Sequence, residues 1–384
     1  MNNLMQLTAH SPGFEMHIIR SQDELTGLAV DWDNLVKQYF PHLCNTFTWH
    51  HLALINYQPK SQLAVIAFTH GGKLVGIAPF CFSKTTFAKL PVQKYHFFEQ
   101  FTALSTLTIH NDFLQPALEM MAHREANIFS AGHIVSFTAD QSQWQALYPI
   151  LKNLQSCGFQ IYCRPRKILQ LQANEAEQFQ RQVLSKRTRK NYRKMERRLQ
   201  QAFRTEVITP SPAELSDQFK NYWGLFLEIY ENSWKENSHK AVSRIESHHE
   251  FYYSILEKFS KENHVRLALL TLDDKPAAAA WWIEYEGTCY GIQTAYSSGF
   301  SSYSPGSYLL HRHLKYLIDR GIHHFDFMGN HAYKKHFATH HRGYLDLYLF
   351  TKKAYGKMLS RLVPFSRISL QPLDDIISSD FPVY

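Results

Sequence analysis

The sequence predicts a mixed α/β protein of two tandem domains, each a mixed, mostly antiparallel sheet flanked by helices. Three observations predict it. The chain has 384 residues with 45% hydrophobic and 14% aromatic content, enough to bury two sizeable cores. A strand-turn-strand pattern occurs at Leu63–Phe82 and returns at Val265–Tyr296. Segments of helical periodicity lie before and after both patterns.

In the first half, His17–Arg20 reads as a short strand and Ser21 as a helix N-cap, followed by Leu25, Leu28, Trp32, Leu35 and Val36 at helical spacing. Leu63–Phe68 and Leu74–Phe82 are two β-prone runs joined by His70-Gly71-Gly72-Lys73, whose glycines supply the positive φ of a tight hairpin. A helix over Trp144–Gln155, stopped by Gly158, leads to a strand over Phe159–Cys163. Arg164-Pro165-Arg166-Lys167 then marks the expected boundary between an N-terminal domain, 14–165, and a C-terminal domain, 166–363, with a tail over 364–384.

The second pattern runs from Val265–Leu272 through Asp273-Asp274-Lys275-Pro276 to Ala277–Tyr285, then through Glu286-Gly287 to Thr288–Tyr296. Aligning Lys73 with Lys275 superposes the two units, which fits a chain built from similar halves. A final strand over Tyr344–Thr351 and a helix over Ala354–Leu362 complete the expected elements.

Several function classes are excluded. No run approaches the roughly 18–20 apolar residues of a spanning helix, and Met1–Glu15 lacks the basic-then-apolar order of a signal peptide, so the expectation is a cytoplasmic protein. Five cysteines without Cys-x-x-Cys spacing argue against disulfide, zinc or redox sites, and Cys289 has no neighbour marking it as a nucleophile. No Walker loop, dinucleotide fingerprint or Gly-x-Ser-x-Gly elbow is present.

The formal charge of +8 is concentrated. Between Arg181 and Arg198 stand nine Lys or Arg against one acid, Glu196. Leu184, Thr188, Tyr192, Met195, Leu199 and Phe203 recur every three or four residues, so the run reads as an amphipathic helix capped by Ser185. A charge run is usually a solvated face. Nine cations against one anion exceed what solubility requires, and Lys186, Arg189, Lys190 and Arg193 are the expected contacts for a polyanion: tRNA, cofactor phosphates, a phosphorylated carrier or anionic lipid at the inner membrane surface. With few aromatics and no DNA-binding motif, no DNA partner is expected.

Near the C-terminus, Tyr303-Ser304-Pro305-Gly306-Ser307 opens an apolar helix stopped by Gly321, and free N–H groups at such a start favour a phosphate or developing oxyanion. Asp326, between Phe325 and Phe327, reads as an acid in an interior strand, either an anchor or a catalytic group. Tyr333 and Lys334 follow Gly329, placing a phenol and a cation nearby. His323, His324, His331, His336, His340 and His341 crowd the region without metal-ligand spacing; His331 is the one best placed for proton transfer, and no metal is expected.

These features together, Ser185–Arg193 with Arg197-Arg198-Leu199, Tyr303–Gly306, Asp326–Gly329, and Tyr333-Lys334 with Phe337, resemble the FemAB/CelD-like branch of the GNAT acyltransferases, in which two GNAT-like domains sit in tandem. The resemblance covers most of Ile168–Lys352. It implies direct acyl transfer to an amine without a covalent enzyme intermediate. It further implies an acyl-CoA co-substrate, acetyl-CoA foremost and not tightly bound, with an amino-sugar or cell-envelope glycan acceptor. On that basis Tyr303, Pro305, Gly306, Ser307 and Lys334 would hold the donor, and Asp326, Tyr333 and His331 would handle protons, in that order. The usual pyrophosphate signature is missing, which keeps aminoacyl-tRNA open as the donor for a peptidoglycan precursor. No long coiled-coil arm is visible to support that reading. A non-catalytic protein binding a glycan or membrane-linked intermediate is the third reading.

Overall fold

A computed structural model of the chain describes residues 13–57, 61–97, 105–123, 132–237, 242–366 and 369–376. The expected tail is therefore described only as far as Ile376, and the N-terminal reading over Met1–Glu15 falls largely outside the described residues. Two compact units emerge, one drawn from Met1–Leu54, Gln58–Arg166 and Gly343–Tyr384, the other from Ile55–Tyr57 and Lys167–Arg342.

In the first unit, strands Phe14–Ile19, Val65–His70, Lys73–Ala78 and Thr108–Ile109 form a wholly antiparallel four-stranded sheet. Strands Phe80–Phe87 and Leu90–Phe97 form a second hairpin, and Leu90–Phe97 runs parallel to Ile134–Asp140. Ser21 caps helix Gln22–Gly27 through a capping box with Glu24, and the helical segment then restarts at Ala29 and runs to Tyr39. Helices Asn111–His123 and Trp144–Ser156 bury Leu114, Leu118, Leu147 and Leu151 against Ile66, Phe68 and Phe137 of the strands. Gly158, at φ +97°, ends the latter helix where an L side chain would be strained.

Sequence order alone keeps 166–363 together, but strand pairing divides it differently. Tyr344–Phe350 pairs antiparallel with Asp140–Ile134, so the chain from Gly343 onward returns to the first unit. Leu345, Leu347 and Leu349 enter that unit's core. The strand expected over Phe159–Cys163 extends over Gln160–Gln172, so the boundary at Arg166 falls within a strand rather than in a linker.

The second unit has the order Thr205–Ile208, Val265–Leu272, Lys275–Tyr285, Thr288–Tyr296, His324–Asp326, then Gln170–Gln172, antiparallel except for one pair. That exception is Thr288–Tyr290, which runs parallel to His324–Asp326 with helix Pro305–Ile318 between them in sequence. Trp281 and Trp282 are adjacent on one strand and so face opposite sides of the sheet. Trp281 meets Phe219, Trp223 and Phe226 of helix Phe219–Glu231 at centroid distances of 5.7, 6.1 and 6.3 Å. Trp282 meets His313 of helix Pro305–Ile318 at 6.2 Å, and Phe325 and Phe327 at 6.1 and 6.0 Å. Both indoles are essentially fully buried, so one dipeptide anchors a helix on each face.

The two hairpins aligned by Lys73 and Lys275 agree beyond their turns. Gly71-Gly72 and Asp273-Asp274 are both two-residue turns with positive φ at each position. The register slips between Phe68 and Thr69 in one and between Leu270 and Thr271 in the other, leaving Val75 and Ala277 as the bulged residues at matching places.

Candidate active site

Each side chain of the candidate site in the second unit is placed by a local feature of the chain. A register shift at Trp281/Trp282 bulges strand Thr288–Tyr296 near Ile292 and bends it. Its parallel pairing ends at Tyr290 opposite Asp326, while the strand itself continues to Tyr296. Past that point the two strands no longer pair, and a cleft of about 400 Å³ opens. Its walls include Ala279 and Ala280 from the neighbouring strand, Thr294 and Tyr296 from the bent one, and Leu309 and Leu310 from the helix.

Helix Pro305–Ile318 begins at this cleft. Proline at N1 supplies the helical φ without wasting a donor, and Ser304 before it holds the left-handed conformation at φ 55°, which only an over-determined turn sustains in a non-glycine residue. The N–H of Tyr308 is satisfied by the carbonyl of Ser304 at 3.1 Å. The amides of Gly306 and Ser307 belong to the first turn, where no intrahelical carbonyl can reach them, and both residues line the cleft. A Cβ on Gly306 would lie 3.1 Å from Cδ1 of Tyr296, so glycine here permits the ring to pack against the helix start.

Opposite lies a cationic corner. Lys334, 8% exposed, sits on the short helical turn Ala332–His336 and donates its Nζ to the carbonyl of Phe327 at 2.8 Å. Burial, followed by the like charge of Lys235, pulls its ammonium down to about 7, while Asp326 acts in the opposite sense. Lys235, which lines the cleft, donates to the carbonyl of Thr294, and burial lowers it to about 8. Asp326 is fully buried; Oδ2 accepts from Nε2 of Gln170 at 2.8 Å and Oδ1 from the backbone N–H of Met328 at 2.7 Å. Burial raises its carboxyl, against the hydrogen bonds and the charges of Arg342 and Lys334. The Tyr333 hydroxyl lies 3.4 Å from Oγ1 of Thr294; the ring keeps an exposed outer face while desolvation of the hydroxyl end raises the phenol.

Of the residues expected from sequence, Gly306, Ser307 and Tyr333 line one cleft, and Lys334 stands beside it, coupled to Lys235. Pro305 is buried at the helix start, and Asp326 is fully buried and acts on Lys334 through its charge. Tyr303 turns away: its ring packs on Phe203 at 4.9 Å and under the Arg198 guanidinium at 5.4 Å. His331 is exposed and stacks at 6.1 Å on Tyr333. Lys235, Thr294 and Gln170 are additions, and no motif in the sequence marks them.

The basic helix forms over Lys186–Ala202 with Ser185 capping through Thr188. Its cations divide. Arg189 folds back, donating Nη1 to the carbonyls of Gln180, Arg181 and Leu184 at 3.1, 2.8 and 2.8 Å, and so closes the preceding turn. Lys186, Lys190 and Arg193 are exposed. Among the described residues, no three metal-ligating side chains converge, and no helix is long and apolar enough to cross a membrane.

Residues 186–335 match the model of the acetyltransferase (GNAT) domain. This segment of the chain is a GNAT acetyltransferase domain. Its cleft, splayed strands and helix start therefore lie within the matched domain of this acyltransferase. Over the whole chain the acyltransferase is similar to the crystal structure of FemX, at 15% identity and TM-score 0.56, covering 91% of this chain and 99% of that one. It is also similar to the C-terminal domain (DUF2156) of a putative lysylphosphatidylglycerol synthetase from Agrobacterium fabrum, at 10% identity and TM-score 0.51, covering 88% and 95%. Both likenesses are of fold. No curated protein sequence matches the acyltransferase.

Proposed function

We propose that the acyltransferase moves an acyl group from acyl-CoA, acetyl-CoA foremost, to an amine, with the reaction centred on the second unit's cleft. The observation that carries this reading is the end of parallel pairing at Tyr290/Asp326, which opens a cleft directly beneath the amides of Gly306 and Ser307. The fit to such a donor rests on this chain's own residues. Small side chains at Ala279 and Ala280 leave room in the cleft, Leu309 and Leu310 make it apolar, and Gly306 keeps the helix start free of a Cβ. The donor supplies an activated thioester carbonyl.

The residues then divide the work. The first-turn amides at Gly306 and Ser307 face negative charge, with the helix dipole behind them. The lysine pair holds one ammonium and one amine near neutral pH, since two like charges in one desolvated corner resist joint ionisation. Lys334, the lower of the two, takes the proton from the attacking amine as the new N–C bond forms and the C–S bond breaks. Tyr333, held protonated, returns a proton to the departing sulfur. Asp326 serves Lys334 as a charge partner rather than as the base, because Gln170 and Met328 already hold its oxygens.

An amino sugar or cell-envelope glycan precursor is the acceptor class we favour. The second reading, aminoacyl-tRNA as donor, is favoured by one observation: the exposed cations Lys186, Lys190 and Arg193 in a helix with a single acid. Calorimetric titration of acetyl-CoA into the protein tests both. Saturable binding weakened at least about tenfold by Gly306→Trp and by Lys334→Ala is expected. Absence of binding, with tRNA bound instead, overturns the acyl-CoA reading.

A further inference from the structure

Resting on the acyl-transfer reading, we propose that the acceptor is an amine that also carries an anionic group, and that Lys235 is the specificity residue that selects it. The cleft has two sides. Ala279 and Ala280 are consecutive on strand Lys275–Tyr285 and so face opposite sides of the sheet, yet both line the cleft. Ala280 packs with Trp282, Leu309 and Leu310 on the side of the helix that opens at Pro305. Ala279 shares the other side with Trp281, where helix Phe219–Glu231 lies. The opening between the splayed strands therefore runs through the sheet from one helix layer to the other. The amides of Gly306 and Ser307 stand on the first side; Ser233 and Lys235, which follow helix Phe219–Glu231 in the chain, line the second. A donor seated against the helix start leaves the Lys235 side for the acceptor.

The segment that carries Lys235 is held in place by its own hydrogen bonds. Ser233, 5% exposed, donates Oγ to the carbonyl of Tyr230 at 2.6 Å and accepts from the backbone N–H of Lys235 at 3.2 Å. The N–H of Ser298 donates to the carbonyl of Asn232 at 2.8 Å and ties the same turn to the end of strand Thr288–Tyr296. The Lys235 ammonium donates to the carbonyl of Thr294 and lies 5.9 Å from the centre of the Tyr230 ring. Both partners are neutral, and among the described residues Lys235 forms no ion pair. An ammonium has three N–H donors, so one carbonyl leaves donors unspent at the cleft wall.

Electrostatics then sorts the acceptors. Lys235, the higher of the lysine pair, is the one that keeps its proton near neutral pH. A plain amine arriving as an ammonium adds a like charge to that desolvated corner and is repelled. An anionic group on the same molecule cancels its net charge and gives Lys235 the charged oxygen it lacks, a charge-assisted bond, while the amine end faces Lys334. A carboxylate and a phosphate share this chemistry. Within the sugar acceptors favoured here, the class is an amino sugar bearing an acid or phosphate group.

Calorimetric titration of the full chain, without donor, with muramic acid and glucosamine 6-phosphate, against glucosamine and inorganic phosphate, tests the assignment. At least one anionic amine is expected to bind saturably, about tenfold or more tightly than glucosamine or phosphate alone, and the order of the two tells carboxylate from phosphate. Lys235→Met and Lys235→Gln are each expected to erase the advantage over glucosamine, and Lys235→Arg to keep part of it. Matching melting curves for the three variants keep the comparison free of misfolding. Acetyl-CoA titrated separately reports on the donor alone, so failure of the acyl-CoA reading and failure of the acceptor assignment are read apart. Three results would each overturn the proposal: no saturable binding of either anionic amine, equal affinity for glucosamine or for phosphate, or an advantage that survives in Lys235→Met and Lys235→Gln.

Discussion

Replacing Lys235 with methionine tests the cationic corner most directly. Lys334 stands at about 7 rather than the ordinary 10.5, with burial the largest cause, the Lys235 charge the second, and Asp326 opposing both. Methionine keeps the apolar stem but removes the charge, so the second cause vanishes and the first remains. A like charge several ångströms away at an effective dielectric near 20 is worth about 2 kcal/mol, between one and two pKa units. Because burial contributes more than Lys235, Lys334 should rise by about one unit and stay well below 10.5. The sign is fixed: loss of a neighbouring cation favours the protonated amine. Titration of ¹³Cε-labelled lysine by NMR reads it without a substrate, with Lys334→Arg assigning the resonance. The acid limb of the rate profile should move to higher pH by the same amount, since the base then needs more alkaline conditions to be free. An ordinary lysine titration for Lys334 in the unmodified protein would refute the argument, as would an unchanged midpoint in Lys235→Met.

Arg189→Ala should destabilise the fold by about 2 kcal/mol, because three carbonyls lose a charged donor, whereas Lys190→Ala should stay within about 0.5 kcal/mol; urea midpoints decide. Conversely, Lys186→Gln with Lys190→Gln and Arg193→Gln should lower retention on a polyanionic resin without moving the melting temperature. Asp326→Asn should flatten the dependence of stability on pH. The folded carboxyl lies above its unfolded value, so the native state binds more protons and stability falls as pH rises from about 4 through the raised value; asparagine removes that slope, which denaturation at stepped pH would record. Gly306→Ala brings a Cβ to 3.1 Å from Tyr296, and donor affinity should drop about tenfold while secondary structure by circular dichroism is unchanged.

Much of the fold was legible because local chemistry and tertiary demand agreed. Gly71-Gly72 could make a two-residue turn in any context, Ser185 had Thr188 within reach of its hydroxyl, and Trp144–Ser156 carried both its periodicity and its glycine stop. The matching bulges at Val75 and Ala277 turn the repeat from a likeness of turns into a likeness of register. Gly306, Ser307, Tyr333 and Lys334, at or beside the candidate cleft, stand within one stretch of chain, so their order grouped them before the fold did. Lys235 did not disclose itself, since nothing around it differs from an ordinary surface lysine until strand Thr288–Tyr296 brings Thr294 beside it. Tyr303 shows the converse: next to the helix start in sequence, its ring finds better burial against Phe203.

The sequence by itself determined the element types, the paired hairpins, the cationic helix and the helix start at Pro305-Gly306, all of which depend on neighbours within about one turn or one hairpin. Tertiary structure decided which unit owns Gly343–Phe350, which of the basic residues closes a turn and which meet solvent, and where two distant lysines share one desolvated corner. The reason is physical: strand register and desolvation are set by residues far apart in the chain, and a carboxylate or an ammonium acquires its working pKa only from what the fold places around it.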